Sequence, residues 1–312
     1  MTAMTMSNAE FGNALVDELK RQLPSEYTVT TKVMMKSNDT SKTGIIIAKE
    51  EDNGAVIIHV EDEYPHYQEG FSIEEIAKSC IVQAQRNSVS NLDLPEFNKE
   101  FILGNAYFRP ANREMNQKRL QDVPVYHAHG VDDIDLYPCM DVDIKDRRGV
   151  IIINNETLDM YDLSVKELHE AAIHNTEERL SIGPLDQLLQ ELVSGAPLDF
   201  SSPFLVAVDK GKDGNSIGVG TGGASIFGAP SKLAELEGTY YIIPSSIYEA
   251  LILPEEFCPE VDRLFGIVRD VNRDVLKPED KLSDSVYRLT DGELETLQNP
   301  LLEAELKQER EA

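Results

Sequence analysis

The residues that could do chemistry are few, and most fall between positions 127 and 143. His127-Ala128-His129 would point both imidazoles to one side of a strand, because alternate residues share a face. Asp132, Asp133 and Asp135 follow within a few positions. Two imidazoles with a carboxylate make a sensible donor set for a divalent metal, so His127, His129, Asp132 and Asp135 are the candidate ligands. The run His169-Glu170-Ala171-Ala172-Ile173-His174 looks like a zinc helix but is one residue too long. Histidines five apart stand about 140° apart around a regular helix, whereas the zinc motif's spacing of four gives about 40°.

Asp133 and Asp135 alternate with Ile134 and Leu136, and Asp141 and Asp143 with Val142 and Ile144. Each stretch then shows apolar residues to one side and carboxylates to the other. If the two strands pair, Asp133, Asp135, Asp141 and Asp143 crowd one face, which a basic partner or a bound cation would relieve. Gly218, Gly220 and Gly223 have dinucleotide-fingerprint spacing. The Gly228-Ala229-Pro230 stretch breaks the helix that must follow, and no phosphate-binding lysine is present, so a surface loop is expected. Ser245 and Ser246 lack a nucleophile elbow and suit a cap. Cys80, Cys139 and Cys258 form no disulfide framework or Cys-x-x-Cys pair, as expected of a reducing, cytoplasmic setting. No cofactor is expected.

The elements that must position these groups read as a mixture. Ser7 and Glu10 have capping-box spacing at the head of a helix ending at Pro24, and Ser72 with Glu75 and Ser164 with Glu167 repeat it. The helix from Ser164 is expected to run to about His174. Residues 27–35, 44–49 and 55–60 read as an antiparallel meander, and 64–70 as a connecting loop. Residues 97–121 read as helical at both ends with a break near Pro110, and 123–126, 134–136 and 139–144 as separate strands. The stretch from Asp291 reads as an acidic tail, partly a loose helix. Helices and strands mix without regular alternation. The expected class is therefore α+β, antiparallel sheets with packed helices, divided as 1–90, a main domain 97–290 and the tail 291–312.

The chain has 312 residues, 29 Lys+Arg, 56 Asp+Glu and a formal net charge of −27. Such a chain repels phosphates, which argues against direct nucleic-acid binding and against an anionic membrane surface. Its apolar runs are too short to span a bilayer, and the start has no signal-peptide pattern.

Several stretches together resemble an uncharacterised bacterial family, a domain of unknown function common in gut anaerobes and their mobile elements. They are Tyr64 to Ala77 (YPHYQEGFSIEEIA), Val123-Pro124 with its strands, Ile152 to Thr176 (IINNETLDMYDLSVKELHEAAIHNT), Gly228 to Glu256 (GAPSKLAELEGTYYIIPSSIYEALILPEE) and Leu282 to Leu289 (LSDSVYRL). The resemblance implies no activity, cofactor or catalytic residue. The expected role is a non-enzymatic interaction protein that meets a basic protein surface. The alternatives are a DNA-mimicking inhibitor of a nucleic-acid enzyme and a metal-dependent hydrolase built on the His127/His129/Asp cluster.

Overall fold

The structure, a computed structural model, describes residues 6–50, 52, 54–87, 95–144, 147–192, 201–211, 222–258 and 260–300. It divides into two compact units. The first comprises Met1–Lys36, Thr40–Pro95 and Val142–Gly149, the second Ser37–Asp39, Glu96–Asp141 and Val150–Ala312.

The first unit opens with α1 (Asn8–Gln22), whose capping box is formed by Ser7 and Glu10. Then come β1 (Tyr27–Met35), β2 (Ser41–Lys49) and β3 (Ala55–His59), an antiparallel sheet in that order. Two helices follow, α2 (Val60–Gln68) and α3 (Ile73–Asn87). Alternation along the strands sends Val29, Ile45, Ile47 and Ile58 into one core with Phe11, Leu15 and Leu19 of α1 and Ile76, Ala77 and Cys80 of α3. The loop expected over 64–70 is mostly helix. Tyr64 and Tyr67, three apart on α2, bring their rings to 5.5 and 5.3 Å from Phe11. That aromatic packing offsets the backbone hydrogen bond forfeited at Pro65.

The remaining elements are α4 (Lys99–Asn105), β4 (Ala106–Asn112), β5 (Ile134–Ile144), β6 (Arg147–Ile152), α5 (Asn155–Met160), α6 (Val165–Arg179), β7 (Leu180–Pro184), α7 (Leu185–Leu192), β8 (Leu205–Asp209), α8 (Pro230–Ala234), β9 (Thr239–Pro244), β10 (Ala250–Pro254), α9 (Asp262–Asp274), β11 (Tyr287–Thr290) and β12 (Glu293–Thr296). They build a three-stranded sheet, β4-β5-β6, and a six-stranded one, β12-β11-β9-β10-β8-β7. The class is α+β with antiparallel sheets. The larger core joins Phe108, Leu136 and Met140 of the small sheet to Leu168 and Ala172 of α6 and Ile242 and Ile252 of the large one. A second layer sets α9, through Leu264, Phe265 and Val268, against Tyr241, Ile243 and Leu253. No described helix is long and apolar enough to cross a membrane.

The structure departs from the sequence expectations in four further places. The helical reading of 97–121 fails beyond Asn105, because Ala106–Asn112 is an edge strand. Pro110 sits two residues from Phe108, whose N–H is taken at 2.9 Å by Thr176 Oγ1 of α6 rather than by β5. The nitrogens of both residues therefore face away from β5, where a proline costs no ladder bond. The strands read at 134–136 and 139–144 are one strand, β5. Pro138 does not interrupt it, since its carbonyl accepts the Ile153 N–H at 3.0 Å, just past the end of β6. α6 runs to Arg179, more than a turn beyond His174. Residues 293–296 are a sheet strand rather than part of a tail, turned back by Asp291 and Gly292 at φ 49° and 88°.

Candidate functional site

β5 carries the carboxylates that the sequence singled out, with Asp133 just before it. The face bearing Asp135 and Asp141 is not an open row of carboxylates, because it also carries Tyr137 and Cys139. Those two pack into a buried cluster with Tyr107 and Ala111 of β4 and with Leu120. Both faces of the strand are therefore covered, and each carboxylate must find an internal partner.

Asp141 and Asp209 share Arg179. Arg179 Nη1 donates to Asp141 at 2.8 Å, Nη2 to Asp209 at 2.8 Å and Nε to Asp209 at 3.1 Å. The guanidinium lies 3.6 Å from the centre of the Tyr107 ring, and Tyr107 Oη donates to Asp141 at 2.8 Å. Arg179 and Asp209 are both buried. The two carboxylates hold the arginine charged against the cost of burial and raise its pKa. Asp209 is fixed in turn by the Gly211 N–H at 2.7 Å. A small cleft of about 120 Å³ opens beside this group, lined by Asn105, Asn175 and Glu178 among others.

Asp133 is held by three hydroxyls from the β11 approach. Ser283 Oγ donates to it at 2.5 Å and Ser285 Oγ at 3.0 Å, and Tyr287 Oη also donates to it. Burial pushes the Tyr287 phenol well above its ordinary range, helped by the adjacent Asp133 charge, so the hydroxyl stays a donor.

Asp135 is buried and accepts from Arg113 Nε at 2.8 Å, with His127 Nδ1 at 2.6 Å. A carboxylate on Nδ1 fixes the tautomer and leaves Nε2 as the basic nitrogen, the orienting half of a general-base pair. Among the described residues the His127 ring is hydrogen-bonded to Asp135 alone, and with Nδ1 donating there, Arg113 Nη2 at 3.2 Å from the same nitrogen is a close approach rather than a hydrogen bond, so no nucleophile joins the pair. His129 stands apart, almost fully exposed and 3.9 Å from Glu293. Asp132 is exposed, and its N–H donates to Thr296 Oγ1 at 2.9 Å. The structure thus brings His127 to Asp135 but leaves His129 and Asp132 elsewhere. Among the described residues no group of three or more His, Cys, Asp or Glu side chains could hold a metal ion. The Asp143 side chain lies outside the described residues.

The other candidates have structural surroundings. His169 Nε2 lies 2.8 Å from the Pro124 carbonyl, with its ring against Phe108 and Tyr126. His174 is exposed and 3.9 Å from Glu178. Gly218 and Gly220 lie outside the described residues. Gly222 and Gly223 pack so closely on β8 that an added Cβ would come within 2.6 Å of the Asp209 Cβ or 2.0 Å of the Ala207 carbonyl oxygen. Ser245 Oγ bonds Glu249 at 3.1 Å, and Ser246 Oγ accepts the Tyr248 N–H at 3.1 Å, both within a turn. Burial pushes the Cys80 and Cys139 thiols up to about 12 and raises Cys258 as well, so none offers a thiolate at neutral pH.

Sequence reasoning passed over Arg113, Arg179, Asp209 and the Ser283–Tyr287 hydroxyls. Arg179 had a signal, since it continues the inward stripe Leu168, Ala172, Thr176 of α6 at helical spacing. The partners of Asp133 had none, being 150 and more positions away.

Comparison with curated proteins and with solved structures found no match. A family model matches residues 8–290 and so spans α1 to α9, β1 to β11 and the Asp133, Asp135, Asp141 and Asp209 carboxylates. With that coverage, the chain belongs to the family of unknown function DUF5688.

Proposed function

We propose that this chain is a non-enzymatic interaction protein of the cytoplasm that recognises a basic surface on another protein. The observation that carries the reading is charge. The chain has a formal net charge of −27, and many of its cations are already engaged with its own carboxylates, among them Arg113, Arg179, Lys99 and Arg288. An unneutralised anionic exterior steers basic partners and repels nucleic acid. The Asp133, Asp135 and Asp141 carboxylates are engaged internally, so the partner would meet other acids, those on exposed helix and loop surfaces. That engagement also weakens the DNA-mimic alternative, which needs surface rows of carboxylates, although a bacterial mobile-element setting would suit it. The hydrolase alternative retains only the His127–Asp135 pair.

Affinity capture from native cells tests the proposal. Basic proteins should be retained at low salt, with at least one surviving physiological salt and released as salt is raised further. Recovery of acidic proteins only, or retention indifferent to salt, would contradict it.

A further inference from the structure

The first unit contains a pocket that the account of β5 leaves unused. It has a volume of about 300 Å³ and is lined by Glu63, His66, Phe71, Glu75, Ile76 and Ser79. It lies in one of the stretches carrying the family resemblance, Tyr64 to Ala77, where α2 turns into α3. Gly70, at φ +104°, makes that turn with open space around it. The wall is apolar, from Ile76 and from Phe71, a phenylalanine left half-exposed.

Two carboxyls face this wall, and they differ in character. Glu75 closes the α3 capping box, accepting from Ser72 N at 2.9 Å and Ser72 Oγ at 2.6 Å, which keeps it ionised. Glu63 is nine-tenths buried. Its carboxyl has the Gln83 amide as a neutral hydrogen-bond partner, and no described residue gives it an ion pair. The groups acting on it are Asp62 and His66 of α2 and the Gln83 amide of α3, with the Cys80 thiol also near. Desolvation raises its pKa, the repulsion of Asp62 adds to this, and His66 and Gln83 oppose it. A buried carboxyl at the edge of an open pocket, with only an amide and an imidazole beside it, has room for a full cation. An alkyl stem against Ile76 and Phe71 with a positive head at Glu63 and Glu75 would satisfy every wall, and an aromatic face favours such a head.

We propose that this pocket receives a lysine or arginine side chain from the basic protein partner. The inference rests on the reading given under Proposed function and names the anchor for it. Cation binding holds Glu63 ionised, so affinity should rise with pH through the range in which Glu63 titrates.

The test uses the full chain and a short lysine-rich peptide, with Ile76 methyl and Phe71 ring signals followed by NMR. The peptide should shift both signals. Glu63→Gln and Phe71→Ala should each weaken binding about tenfold, and the pH dependence should vanish in Glu63→Gln. Neither change threatens the fold: one removes a buried charge and the other trims an exposed ring. An arginine-rich peptide shows which head group fits better, and a lysine-acetylated peptide should not bind. Binding unchanged by both substitutions, or equal binding of the acetylated peptide, overturns the pocket assignment while leaving the acidic-surface reading in place. No response to any basic peptide overturns the pocket assignment. If capture from native cells also yields no basic partner, the wider reading fails with it.

Discussion

Arg179 shows how one residue can decide whether three charges are tolerable inside the fold. Its guanidinium is the shared donor for Asp141 and Asp209, so removing it strands two carboxylates away from water. Arg179→Met should lower stability by about 3–5 kcal/mol in urea unfolding, and a loss below about 1 kcal/mol would mean the carboxylates find water instead. Glu63 behaves in the opposite sense. Its folded pKa is raised by burial, so its contribution to stability is greatest at acidic pH and is lost as pH rises through the folded value. Glu63→Gln should therefore be more stable than the parent at pH 7, with the difference closing near pH 4. Equal stabilities at both pH values would show that burial does not penalise the charge. Among the described residues His127 and Asp135 form a pair without a third ligand. Stoichiometric zinc should therefore leave the melting temperature within about 1 °C of the apo value, and a shift of several degrees would restore the metal reading.

At the scale of elements, two glycines make contrasting demands. A Cβ on Gly130 would fall 1.7 Å from the Leu294 carbonyl oxygen, where the loop before β5 lies against β12 and Thr296 Oγ1 donates to the Gly130 carbonyl at 3.0 Å. Gly130→Ala should cost more than about 2 kcal/mol in denaturant unfolding, because backbone must move. Gly70→Ala, with a positive φ but open space, should cost only about 1 kcal/mol. Equal costs would mean that the β12 contact carries no weight. The same elements show what could be read in advance. Ser7–Glu10 and Ser164–Glu167 marked helix starts correctly because a capping box is local chemistry. The β11–β12 hairpin also had a local signal, since Asp291-Gly292 between YRLT and ELET is a strong turn dipeptide, but the acidity of the segment obscured it. α2 was read as a connecting loop, and β4 as part of a helical stretch broken near Pro110. Aromatic packing on Phe11 decides the first and an outward-facing nitrogen the second, and both are tertiary facts. Of the candidate site, His127 and Asp135 were named together for their nearness in sequence, whereas the strand alternation that joined His127 to His129 does not hold, since His129 stands apart beside Glu293. The arginine and hydroxyl partners of Asp135, Asp141 and Asp133 depend on how distant segments pack.

For the whole molecule, the internal pairing of strand carboxylates bears on the proposal of a basic partner. Asp133, Asp135 and Asp141 are engaged inside the fold, so the proposed reading places recognition on the acids left on exposed helices and loops of a chain at −27. Encounter with a basic partner should then slow steeply with ionic strength, since the Debye length shrinks from about 10 Å at 0.1 M to about 3 Å at 1 M. The most direct measurement is zero-length carbodiimide crosslinking in native cells, which joins carboxylates to amines only where they touch, followed by mass spectrometry. The account predicts crosslinks from lysines of a basic protein to exposed acids of this chain, Glu75 among them. Crosslinks confined to this chain's own lysines, or reaching only acidic proteins, would contradict it.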